Sequence, residues 1–560
     1  MSHWRCSCLK RKFTIAVLLI SILALPVGGF AADETETMRV ADVTVYGAKG
    51  DGSTDDTAAL QAAVDALKET GGVVTIPKGE YVVSAPICLY SNIQISGIGP
   101  QSKLKGTMTG EDDAIIYGES ITGASVDDLA FSNVDAKVPA VSFAGSTYID
   151  VTDLTIEGNA AVRFCAAGTA ENRVFSSDVF VKNLVCDGKG AQTVAISMVD
   201  TEQAVLSGNK IRNYQNGIYI AHSRVGTTEK PPVNTVCSDC VFNDISGAAI
   251  KTDGQERVSI GTNIIRNVGI GIEVCHAKFT ALANNVITQP KITGISITEG
   301  GDGVNIMSNA VYSSEDKSCL LNVADTSLPY AHKAVNITAN TFHNNGNLRS
   351  NIRIGSVDAL SVTSNHFYNT TLDAATSPIR SSLIGDNQMI YETAYPDPIV
   401  PVKAGKTGLA GELMIQNNHI DAIEAPKAGS VGIVVLQDDA QQSPLTYIKG
   451  NSVRGFLVDM RVQAMSTNPQ VKPVFLVKNN YFGGRFEREE GNTQSSVVIL
   501  EDNFSSKTGG NFPAQIPEEG KWEKGQIVYF DNPQPGSYVG AVCIAKGTPG
   551  VWKLFGKIEE

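Results

Sequence analysis

From residue 200 onward, apolar and polar positions alternate in short runs that close on an asparagine and then begin again: LSGNKIRN, IGTNIIRN, LANNVITQ, IMSNAVYS, ITANTFHN, VTSNHFYN, IQNNHIDA, IKGNSVRG and VKNNYFGG. Period-two alternation predicts strands with one buried face, and each Asn marks a turn. Asn263, Asn285 and Asn309 are separated by 22 and 24 residues, and Asn309 and Asn340 by 31. Such self-similarity is the mark of a solenoid. One coil cannot bury its own apolar face. Stacked coils share a core, pair their backbones above and below, and let matching asparagines hydrogen-bond along the pile. The frame and helical return of a leucine-rich repeat are missing, so the pattern predicts a parallel β-helix. Less regular coils are visible earlier, in ASVDDLAFSN, IDVTDLTIEGN and VFVKNLVCDG.

The repeat has two expected interruptions. Residues 370–411, rich in Pro, Gly and polar side chains, read as an insertion leaving the stack, and after about residue 505 the repeat stops. Three short strands punctuated by turns then predict a small β-rich module over 515–560. Trp522, Tyr529, Tyr538 and Trp552 could stack on sugar rings there, although in so small a unit aromatics more often form the core.

The other end of the stack opens with GAKGDGSTDDTAALQAAV (47–64). Leu60, Ala63, Val64 and Leu67 fall at helical spacing, Asp55 or Asp56 can cap the first turn, and Gly71 and Gly72 end the helix. A solenoid exposes terminal strands and an open apolar end, so a short amphipathic helix here predicts a lid over the first coil. The acidic turn lacks the Gly and terminal Glu offsets of an EF-hand, which favours fastening over calcium binding.

VTVYGAKGDGSTDDTAALQAAVDAL followed by GGVVTIPKGEYVV closely resembles the N-terminal signature of the pectate-lyase-like superfamily, which includes polygalacturonase-type hydrolases, polysaccharide lyases, uronan epimerases and phage tailspike depolymerases. The resemblance implies an all-β fold: a right-handed parallel β-helix over 38–505, with the capping helix at its start. It is specific for the fold and silent about the reaction. The Asn-Thr-Asp, Asp-Asp, Gly-His-Gly and Arg-x-Lys motifs of polygalacturonases are not kept. IKTDG retains only Thr252 and Asp253, GIEV lacks the Asp pair, and Thr293 stands where the histidine would be. The Asp-Pro-His-Glu cluster of mannuronan epimerases is absent too.

Composition changes the picture at three points. Arg5, Lys10, Arg11 and Lys12 precede IAVLLISILAL and then small residues, which predicts a secretory signal peptide over 1–32 and a secreted, periplasmic or cell-surface location. No later segment reads as a membrane span. Eight cysteines would remain after cleavage, irregularly spaced, and are expected as buried thiols or one local disulfide. Cys237-Ser238-Asp239-Cys240 lacks a second metal-ligand pair. A net charge of -13 argues against nucleic acid as a partner.

Candidate chemistry comes from stacking, because equivalent residues lie about 4.8 Å apart on neighbouring coils. The strands AISMVD, GIYIAH, GAAIKT, GIEVCH, GISITE and LLNVAD bring Asp200, His222, Thr252, His276, Glu299 and Asp325 into one column. Tyr219 and Glu273 occupy the third position of theirs, and Arg224, Lys251 and Asp253 stand near strand ends. These residues suggest a groove floor for a polysaccharide, with Asp253, Glu273, His276, Glu299 and His222 as the acid/base group and Asp200, Tyr219, Arg224 and Lys251 as substrate contacts. Carboxyls on adjacent coils would suit a retaining pair at roughly 5 Å. Two coils apart, as for Asp253 and Glu299, they approach the upper end of the roughly 6.5–9.5 Å inverting range.

A polysaccharide-degrading glycoside hydrolase without metal or cofactor is the leading expectation, because carboxylates outnumber cationic bases. A lyase or uronan C5-epimerase would use His276 or Lys251 as base with Arg224 or a cation, Ca2+ in the case of a lyase, holding the acid charge. A non-catalytic glycan-binding surface protein fits the same residues, since outward ladder positions on any β-helix are polar. Tailspike relatives suggest trimers, but no coiled-coil segment supports one, and the oligomeric state stays open.

Overall fold

The computed structural model describes residues 39–560 apart from short internal stretches, the longest at 224–228, 325–330, 346–350, 406–411, 438–444, 465–472, 491–496 and 506–515. The expected signal peptide lies outside the described residues. Among those described, no helix is long and apolar enough to cross a membrane.

The chain winds as a right-handed parallel β-helix, the hand that crossovers between parallel strands adopt. Two parallel sheets run its length, one of 18 strands and one of 29. A representative coil begins on the first face at Glu256–Gly261, turns at Asn263, and continues as Ile264–Cys275, which bends to supply the second and third faces. Later coils split that long strand, as in Thr341–Asn344 and Asn351–Ile354. Inward positions are Ile, Val, Leu and Phe, and they fuse into one core from Ala41 to Phe482. Phe143 stacks on Phe164 and Phe342 on Phe367, with ring centroids 5.5 and 5.6 Å apart.

The corner between first and second faces is fixed by side chains. Asn263, Asn285, Asn309, Asn340, Asn365, Asn387, Asn418, Asn451, Asn480 and Asn503 form a continuous ladder in which each Nδ2 donates to the Oδ1 of the next at 2.8–3.0 Å. Each Nδ2 also donates to a carbonyl of the coil below, as from Asn285 to Ile260 O at 3.0 Å. Buried amides are thereby satisfied in a place that no strand pairing reaches. The ladder is interrupted at Cys240, whose Sγ takes the place of the amide beside Asn209.

The ladder also corrects the expected insertion at 370–411. Ile379–Gly385 and Gln388–Tyr391 pair in register with the coils on either side, and Asn387 is a rung. Thr371–Ala374 pairs with Val402–Ala404 on the third face. The polar, Pro-rich composition belongs to the turns between strands rather than to a departure from the stack.

At the N-terminal end, helix Thr57–Asp65 buries Leu60, Ala63 and Val64 against the first coil. Asp56 precedes the helix but makes no side-chain cap; its carboxylate accepts the amides of Lys49 and Gly50 at 2.6 and 3.1 Å. Asp55 accepts the Thr57 amide and the Ser84 hydroxyl, and Asp51 accepts the amides of Ser53 and Thr54. The acidic knot therefore ties the loop to itself and to Ser84, at the end of the second strand after the helix, Gly79–Val83.

At the other end, Ile527–Tyr529, Tyr538–Ala545 and Val551–Lys557 form a separate antiparallel sheet. Trp522 and Trp552 pack edge to face there with centroids 4.9 Å apart. All eight described cysteines are free thiols, five of them buried, and Cys237 and Cys240 form no disulfide.

Candidate active site

The third face carries its outward side chains in registered columns. Ser197, Tyr219, Lys251, Glu273 and Ser296 lie on consecutive coils, and beside them run Ala221, Asp253, Cys275 and Thr298. Past the strand ends stand Asp200, His222, Gly254, His276 and Glu299. Thr252 does not belong to this column, contrary to expectation. It pairs with Ile220 and Val274 and is fully buried. Its coil carries one extra residue, absorbed by a bulge between Ile245 and Ala248, so matching Gly247 to Gly217 misplaces every later residue of that strand.

His276 and Glu299 stand in left-handed backbone conformations, φ 47° and 55°, at the turn that ends the third face. Their side chains fold back toward Asp253. His276 Nδ1 lies 3.0 Å from Asp253 Oδ1 and 3.3 Å from Glu299 Oε2. One atom from each of the three residues falls within 4.8 Å of the others. The wide Asp253–Glu299 separation expected from coil spacing is thus corrected: the two carboxylates converge on the imidazole between them. All three are open to solvent, with side-chain exposures of 24, 38 and 60% for Asp253, His276 and Glu299.

Beside this trio, Lys251 Nζ pairs with Glu273 Oε2 at 3.2 Å. Burial alone would pull the Lys251 ammonium down, but Cys275, Glu273 and Asp253 around it hold it above its ordinary value. Burial, together with the Asp253 charge, raises the Tyr219 phenol. Cys275 is pushed by burial up to about 11 and is a neutral thiol, 3.3 Å from Thr298 Oγ1 and 3.9 Å from Glu273 Oε1. The patch therefore holds a paired cation and carboxylate, a neutral phenol and thiol, and an imidazole between two acids.

Asp200 and His222 are placed differently from the expected groove floor. Both are buried, and His222 Nδ1 lies 2.9 Å from Asp200 Oδ1. Arg173 bonds the Asp200 carboxylate, Glu229 at 3.2 Å and Ser223 Oγ at 2.9 Å. Burial would raise the Asp200 carboxyl, yet Ser223, His222 and Arg173 hold it below its usual range. His222 Nε2 is buried and has no hydrogen-bond partner among the described residues. This is a closed ionic cluster inside the turn, so Asp200 does not stand as a substrate contact nor His222 as a solvent-facing base. Sequence reasoning missed Arg173 and Glu229 because both come from irregular turns that carry no repeat. Arg224 and Asp325 lie outside the described residues.

The family described as "Rhamnogalacturonase A/epimerase, pectate lyase-like" matches residues 40–296. Alginate lyase 7 of Azotobacter vinelandii is 37% identical over 102 residues, 17% of this chain and 12% of that protein. The pre-neck appendage protein of Bacillus phage B103 is 26% identical over 319 residues, 57% of this chain and 30% of its own length. This chain thus spans less than a third of either curated relative. Among solved structures, the exopolygalacturonase of Thermotoga maritima aligns over 63% of this chain and 90% of that one, at 13% identity and a TM-score of 0.38. The matching segment begins where the cap begins, takes in Asp253 and His276, and stops short of Glu299; the chain is a parallel β-helix that over somewhat less than half of its length is similar to this pectate-lyase-like family.

Proposed function

We propose that the chain is an exported polysaccharide-processing enzyme, and that it hydrolyses glycosidic bonds on the third face of the β-helix. The observation that carries this reading is the convergence of Asp253 and Glu299 on His276 Nδ1, with carboxylate oxygens no more than 4.8 Å apart. Retaining glycosidases hold their two carboxyls about 5–5.5 Å apart, whereas an inverting pair leaves about 6.5–9.5 Å for a water. The short separation favours a retaining reaction, in which one carboxyl attacks and the other donates and later removes a proton. His276 bridges the two and can pass a proton between them, while Glu273, Lys251 and Tyr219 line the approach as polar contacts for sugar hydroxyls or carboxylates.

A second reading has its own support. An imidazole held by a carboxylate, beside a lysine, is also suited to remove the proton next to a uronate carboxylate, and relatives include a protein named alginate lyase and others named mannuronan C5-epimerase. The outcomes separate cleanly on a panel of acidic and neutral polysaccharides. New reducing ends with net retention at the anomeric carbon support hydrolysis. Absorbance from an unsaturated uronate, or altered uronate stereochemistry without cleavage, supports the second reading. Binding without turnover of any kind would sink both. Glu299→Gln and His276→Ala should each lower kcat at least 100-fold with an unchanged circular dichroism spectrum, and full activity in both variants would move the reaction elsewhere.

A further inference from the structure

The molecule contains two ionic clusters of the same composition on the same turn, two coils apart. In one, His222 Nδ1 meets Asp200, and a second carboxylate, Glu229, stands beside it. In the other, His276 Nδ1 meets Asp253, and Glu299 is the second carboxylate. The first is completed by a cation, since the Arg173 guanidinium bonds both of its carboxylates. Among the described residues the second has no such protein cation. Lys251, the nearest candidate, is engaged by Glu273, and among the described residues no Lys or Arg pairs with Asp253 or Glu299. A single Nδ1 proton can serve only one of the two carboxylates at a time, and the other is left to solvent.

We propose that Asp253, His276 and Glu299 form a binding site for a borderline divalent cation of the zinc class. The spacing supports it. Two ligand atoms about 2.1 Å from a common ion lie about 3.0 Å apart at a right angle and about 3.4 Å apart at the tetrahedral angle. The two contacts of His276 Nδ1, 3.0 and 3.3 Å, already have those lengths. The carboxylate oxygens, within 4.8 Å of each other, need close by about 1.4 Å at most to reach the tetrahedral edge, and Glu299 is exposed and able to rotate while Asp253 is half-buried. An imidazole nitrogen with two carboxylates suits Zn2+ or Co2+, whereas Ca2+ takes six to eight oxygens. Because the same atoms serve the acid/base role proposed above, the cation and that chemistry exclude one another. This consequence rests on the hydrolytic reading, while the site itself does not.

The test uses the full chain titrated calorimetrically with Zn2+, and in parallel with Co2+ followed by its visible absorption. One saturable equivalent is expected, with affinity at least ten-fold weaker in His276→Ala and in Glu299→Gln and unchanged in Asp421→Asn, a half-buried carboxylate beside Arg454. Excess Ca2+ should not displace Co2+. Absence of saturable binding, or binding that both site variants leave intact, would overturn the site whatever the polysaccharide assays give. Where turnover is found, Zn2+ should suppress it and a chelator restore it; a rise in turnover on adding Zn2+ would overturn the mutual exclusion and leave the binding result standing on its own.

Discussion

Arg173 illustrates how a single residue outside any repeat can decide the state of its neighbours. Its guanidinium lies between two carboxylates, one of them buried, and removing it strands the Asp200 charge. Breaking a buried pair from one side costs about 3–5 kcal/mol, so Arg173→Ala should lower the urea midpoint accordingly, while Asp200→Asn in the same background should recover part of the loss. The depressed Asp200 carboxyl fixes the sign with pH. Its contribution is complete above the ordinary Asp value of about 3.9 and drains away as pH falls through the lower folded value. At this scale the sequence is only half legible. Asp253, His276 and Glu299 can be found because each lies at the end of a strand whose alternation can be counted. Asp200 and His222 look identical in that count, and only the packing of two irregular turns distinguishes the closed cluster from the open one.

At the scale of the elements, the asparagine corner carries the register. Asn340 accepts from the amide and side chain of Asn309 and donates to Asn365, Ile306 O and Thr338 O. Asn340→Ala leaves several of these buried partners unmet at about 1–3 kcal/mol each, so destabilisation of at least about 2 kcal/mol is expected from equilibrium unfolding. Cys240 offers the converse experiment. Its Sγ already points at Leu206 O, 4.0 Å away, the carbonyl that a rung amide would use, and Asn263 Oδ1 accepts its backbone amide as it would that of a rung. Cys240→Asn should therefore join Asn209 to the main ladder and raise stability by about 1 kcal/mol, and a loss of stability would mean that the corner there is too tight for an amide. Strand order and the ladder are legible because both rest on side-chain type at fixed positions. The stretch from 370 to 411 misleads because loop composition outweighs four short strands and one rung, Asn387, set among them.

For the molecule as a whole, the acidic loop is a fastening at the open end. Hydrogen bonds from the Thr54 and Ser53 amides and hydroxyls hold the Asp51 carboxyl below its usual range, and the Ser84 and Thr57 hydroxyls do the same for Asp55. Both shifts are downward. The fastening is fully present above about pH 4 and weakens on acidification below it. Amide exchange over residues 49–57 should accelerate in that acid window before the central coils respond, whereas uniform acceleration along the chain would show that the cap does not open first.

The distances between rungs carry a last consequence. Successive asparagines are separated by as few as 22 and as many as 33 residues, yet every side-chain bond between them has nearly the same length. Pitch is constrained while girth is free: a turn can gain about ten residues without disturbing the coil above it. Novelty in such an architecture accumulates sideways, in whatever the turns happen to present, and the axis that supports it has no need to change.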